Sequence, residues 1–143
     1  MFRGAKTVET PEWALELLVQ LQKEYKFAPL MLVWGVHKGT HRFKGHCSFD
    51  HIQIAVGDNA SMDLQRRTLL HEIAHAIRDD YHRKGNSHTV AFYELAFELY
   101  ERFGVEVEDA LMVEYGYKKC AKRGFYNWFG YIPLWMETRD EAV

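Results

Sequence analysis

The chain has 143 residues, of which 48% are hydrophobic, 27% charged and 15% aromatic, and its formal net charge is −2 at neutral pH. That length suits a single domain with a real core, and that charge excludes a protein that grips polyanions through its bulk field. Cys47 and Cys120 stand far apart and outside any CxxC, which excludes a disulfide framework and a separate cysteine zinc finger. No apolar run reaches membrane length, and Met1 to Lys6 lack the apolar stretch of a secretion signal, so a cytoplasmic protein with reduced thiols and no membrane contact is expected.

Residues 1–9 read as a polar lead-in. Thr10-Pro11-Glu12 then opens a helix, with Thr10 as cap, Pro11 at the first helical position and Glu12 complementing the dipole. Trp13, Leu17, Leu21 and Tyr25, flanked by Ala14 and Leu18, make a core-facing stripe. After Pro29 the periodicity changes. Leu30–Val36, Phe43–Ser48 and His51–Val56 read as three strands, the third with Ile52, Ile54 and Val56 alternating inward. A turn at 57–61 leads to a helix capped by Ser61 or Asp63 and running to about Asp79. Polar residues 78–87 form a loop, and a second helix starts near Ser87 with Phe92, Leu95, Ala96, Leu99 and Phe103 on its apolar side and Gly104 at its end. Beyond it, 105–107 reads as a short extended piece, 109–115 as helix, and 124–136 as an irregular aromatic tail broken at Pro133. The sum is one α+β domain over 1–143, built on a three-stranded sheet.

The chemistry gathers at His71-Glu72-Ile73-Ala74-His75, an HExxH motif inside an apolar helical segment. Two histidines four apart share a helix face and can reach one metal ion, and a carboxylate beside the first can take a proton from a metal-bound water. Leu70, Ile73, Ala74 and Ile77 face the other way, toward a core. A catalytic zinc site takes three protein ligands and leaves one position for water. His88 leads the candidates because it is placed at the first turn of the next helix, on the side of its apolar stripe. Glu94 and His82 stay open as alternatives. Asp79 and Asp80 read as loop charges. A metzincin would need glycine at 78 and histidine at 81, and Arg78 and Tyr81 exclude that class.

Gly45-His46-Cys47, Ile52-Gln53-Ile54, Leu69 to Ala76 and Ser87-His88-Thr89-Val90-Ala91-Phe92 together resemble the SprT-like zinc metallopeptidases. The resemblance spans residues 30–104 and is to a short form without the family's cysteine zinc ribbon, as encoded by bacteria and phages; Thr89 stands where the family often has glycine. It implies a zincin-like fold, Zn2+ held by His71, His75 and His88, Glu72 as the catalytic base, and peptide-bond hydrolysis, with DNA-associated proteins as a substrate class. It also implies that the strand His51–Val56 pairs with an extended substrate. Tyr81, His82 and Tyr93 are candidate oxyanion helpers by proximity.

Three other functions fit some of the same residues. Lys118, Lys119, Lys122 and Arg123 stand in an acid-free stretch among Tyr117, Phe125, Tyr126, Trp128, Phe129 and Tyr131, the residue types that hold phosphates and stack bases. Lys38, Arg42 and Lys44 add a second acid-free segment. A structural zinc would need the histidines and leave Glu72 idle. A hydrolase of a non-peptide amide would use the same groups as a peptidase.

Overall fold

The computed structural model describes residues 1–80, 87–114 and 118–136. Its chain divides into two compact units, Met1–Ser87 and His88–Val143. In the first unit the order is β1 (Lys6–Val8), α1 (Glu12–Tyr25), β2 (Met31–His37), β3 (Phe43–Cys47), β4 (His51–Gly57) and α2 (Met62–Arg78). The sheet has four strands where three were expected, in the order β1-β2-β4-β3. The added strand comes from the polar lead-in. Its three residues are all exposed, so it carries no hydrophobic pattern and is held by antiparallel backbone pairing of Lys6 with Val36 and Val8 with Trp34.

β2 and β4 run parallel, with Leu32 opposite Ile52 and Trp34 opposite Ile54, and β3 folds back antiparallel on the far side of β4. β4 is therefore an interior strand, and β1 and β3 are the two edges. Ile52, Ile54 and Val56 point inward as the alternation predicts, and Ala55 is buried with them. Thr10 does not cap α1. Its hydroxyl donates to the Leu32 carbonyl at 3.2 Å, and Pro11 occupies the N-cap position without a side-chain bond. On α2 it is Ser61 that caps, its Oγ accepting from the Leu64 amide at 3.1 Å. Leu69, Leu70, Ile73 and Ala74 are fully buried, and α2 packs on β3, β4 and α1. Each buried leucine or isoleucine contributes about 1.5–3 kcal/mol, which is what anchors this helix.

The second unit contains α3 (Val90–Arg102), α4 (Val107–Val113), α5 (Lys118–Phe129) and a helical turn at 134–136. Thr89 caps α3 through its Oγ, 3.2 Å from the Phe92 amide, so His88 precedes the helix instead of lying in its first turn. The expected extended piece at 105–107 is absent, because the Val105 amide bonds back to the Tyr100 carbonyl at 2.8 Å and closes the end of α3. The irregular tail is also corrected: much of it is α5. Ala121, Phe125 and Phe129 fall on one face at four-residue spacing, and Phe125 packs 5.2 Å from Phe97 and 4.6 Å from Phe129 between ring centroids. Gly124 lets α5 approach α3 closely. Gly130, at φ 80°, ends the helix, its amide bonded to the Tyr126 carbonyl.

Candidate metal centre

His71 and His75 project from α2 one turn apart, with ring centroids 5.1 Å apart and planes at 70°. His88 is half-buried, with its ring 5.2 Å from Phe92 and 6.1 Å from Tyr93. One nitrogen from each of His71, His75 and His88 lies within 4.8 Å of the other two. Four-coordinate zinc with bonds of about 2.0–2.1 Å sets its ligands roughly 3.3 Å apart, so small side-chain rotations bring this group onto one ion. Three imidazoles are a donor set for a borderline divalent cation, and the group can hold one.

The end of α2 contributes a partner that sequence reasoning missed. Asp79 adopts a left-handed conformation (φ 53°, ψ 43°), which short polar residues tolerate, and turns the chain back on the helix. Asp80 is thereby buried, and its Oδ1 sits 2.7 Å from Nδ1 of His75, with 3% and 7% of the two side chains exposed. Arg78 Nε is 3.7 Å from the other oxygen. With the carboxylate accepting from Nδ1–H, the lone pair of His75 is left on Nε2, the tautomer a metal ligand needs. Asp80 is thus more than the loop charge that its place in the sequence implied. The signal for it is an acidic residue two past the helix end, where a left-handed turn folds it back.

Glu72 follows His71 on α2 and is 7% exposed, packed toward β3. Cys47, at the end of β3, shares this environment. Burial, and then the negative charges of Glu72, Asp80 and Asp79, push its thiol up to about 12, so it stays a neutral group beside the carboxylates. Glu94 is half-buried on α3 and is not in the histidine group, while Tyr81 and His82 lie outside the described residues. Tyr93 is fully buried. The strand expected to pair with a substrate, His51–Val56, has neighbours on both sides, β2 and β3, and has no free edge. His51 is engaged locally, its Nδ1 2.7 Å from Asp50 Oδ1 and 2.8 Å from Ser48 Oγ. Both contacts use one nitrogen, so these residues form a turn network and not a nucleophilic triad.

Compared with protein-family models, curated proteins and solved structures, the chain matches none.

Of the basic aromatic stretch, Lys118 opens α5, and Lys119, Arg123 and Tyr126 are exposed with Lys122 half-buried beside them. Positions 119, 122, 123 and 126 share one helix face, and the Arg123 guanidinium lies 5.9 Å above the Tyr126 ring. Phe125 is fully buried and is removed from the rings open to a base. Trp128 and Tyr131 donate to Glu101 and Glu108, so acidic groups lie next to these rings; Tyr117 lies outside the described residues. Among the described residues, no helix is long and apolar enough to cross a membrane.

Proposed function

We propose that this protein is a zinc metallopeptidase of the SprT-like kind, acting in the cytoplasm. The observation that carries the reading is the convergence of His71, His75 and His88 within 4.8 Å, with Glu72 one residue along the same helix. His71, His75 and His88 would hold the zinc, which would supply Lewis-acid chemistry for the scissile carbonyl and the attacking water. Glu72, 7% exposed beside the histidines, would accept a proton from the attacking water and pass it to the leaving amine. Asp80 keeps His75 in the ligating tautomer. β3 pairs with one strand among the described residues, so its outer side would take an extended peptide, the role that the resemblance implied for His51–Val56 and that β4 cannot perform.

Glu72→Ala is the deciding variant. It should retain about one zinc per chain and lose cleavage of an unstructured protein such as casein, by at least a hundred-fold. Undiminished hydrolysis by this variant would overturn the assignment and point to a zinc that only supports the fold. Cleavage of small non-peptide amides in preference to casein would shift the substrate class and keep the site.

The basic face of α5 supports a second reading, contact with DNA through Lys119, Lys122 and Arg123 and through Lys118 at the helix start. It is compatible with the first, since a peptidase acting on DNA-associated proteins would use both surfaces. Binding that weakens steeply with added salt supports it, and absence of binding at low salt removes it.

A further inference from the structure

The edge strand β3 carries a glycine that its own backbone does not require. Gly45 sits in the middle of β3, paired with Ile54, and it is not among the glycines with positive φ. Any L residue could hold that backbone, and glycine weakens a strand interior. What Gly45 provides is space. A Cβ at this position would stand 2.6 Å from Oε2, 2.7 Å from Cγ and 2.9 Å from Cδ of Glu72. The obstacle includes the middle of a short, buried side chain and not just a mobile tip. At Gly35 the comparable clash is with Sδ and Cε of Met1, the far end of a flexible, exposed residue.

We propose that Gly45 is a positioning residue: its missing side chain is the space that holds the Glu72 carboxylate against β3, ready to take a proton. A methyl group at 45 moves that carboxylate while leaving the three histidines and the strand's own backbone pairing in place. The catalytic consequence rests on the metallopeptidase reading; the steric relation does not.

The test is a cycle of Gly45→Ala and Glu72→Ala, singly and together, with melting temperature and activity both measured. In metal-free protein Gly45→Ala should lower the melting temperature by roughly 3–6 °C when Glu72 is present, and leave it unchanged or raise it when Glu72 is alanine. An equal loss in both backgrounds overturns the proposal. In zinc-loaded protein Gly45→Ala should lower kcat for casein about 100-fold, with KM and bound zinc unchanged. Full kcat in that variant overturns the positioning role. If wild type itself cleaves nothing, the peptidase reading fails, and the melting cycle still decides whether position 45 is reserved for the Glu72 side chain.

Discussion

Asp80 shows how one residue outside a motif can set the properties of a residue inside it. Its carboxylate and the His75 ring are both buried, and their 2.7 Å contact fixes which nitrogen faces away. Partners of this kind usually change metal affinity 10- to 100-fold when removed. Asp80→Asn should therefore weaken zinc binding by about that factor in a competition titration against a chelator, with the fold intact. Unchanged affinity would return Asp80 to the status of a helix-end charge, which is how its position in the sequence reads. Cys47 makes a second prediction at this scale. Its folded thiol titrates near 12, raised from an ordinary value near 9 chiefly by burial. A raised folded value means that the unfolded chain loses the proton first. The stabilisation is complete below pH 9 and is lost as pH rises toward 12, at about 1.4 kcal/mol per pH unit. Urea titrations of metal-free protein across that range should show the decline, and Cys47→Ala should flatten it. A slope identical in the variant would remove Cys47 as the cause.

At the scale of elements, Gly124 is a point of close approach between α5 and α3. A Cβ there would come 2.4 Å from the Cβ of Tyr93 and 3.0 Å from the backbone N of Glu94. Alanine improves helix propensity by about 1 kcal/mol over glycine, yet here it forces α5 away from α3. Overpacking of this kind costs about 1–3 kcal/mol, so Gly124→Ala should destabilise the protein on balance, as read by its urea midpoint. A raised midpoint would mean that the two helices separate at little cost. The elements also differ in how far the sequence made them legible. α2 and α3 could be read because their apolar residues recur at helical spacing next to a recognisable cap or stop. The strands at 31–57 could be read because Ile52, Ile54 and Val56 alternate. β1 could not, since an exposed three-residue strand held by backbone bonds leaves no trace in hydropathy. Nor could α5, whose aromatic residues lead into Pro133 and read as an irregular tail until their packing partners on α3 are known. The order of the strands was equally hidden, because β2 pairs with β4 across the intervening hairpin strand. His71, Glu72 and His75 were legible as a motif; Asp80 depended on a left-handed turn that spacing alone does not announce.

At the scale of the whole molecule, a metal that binds only the folded chain is also a stabilising ligand. The three histidines converge only when the chain is folded, since His88 is 13 positions from His75 in sequence, and the unfolded chain offers no such group. Linkage then adds RT ln(1 + [L]/Kd) to stability, about 2.7 kcal/mol when free zinc stands at 100 times Kd. For a chain of this length 1 kcal/mol corresponds to about 2–4 °C, so stripping zinc should lower the melting temperature by roughly 5–10 °C and returning it should restore the loss. His88→Ala should shrink that difference, because two imidazoles on one helix remain a poorer site and keep less of the gain. Glu72→Ala should leave the difference in place, since the carboxylate is assigned to the water and not to the metal. This pattern separates the two roles without any substrate. A zinc-dependent shift that survives His88→Ala at full size would place the third ligand elsewhere, and a shift abolished by Glu72→Ala would make Glu72 a ligand and end its assignment as the base.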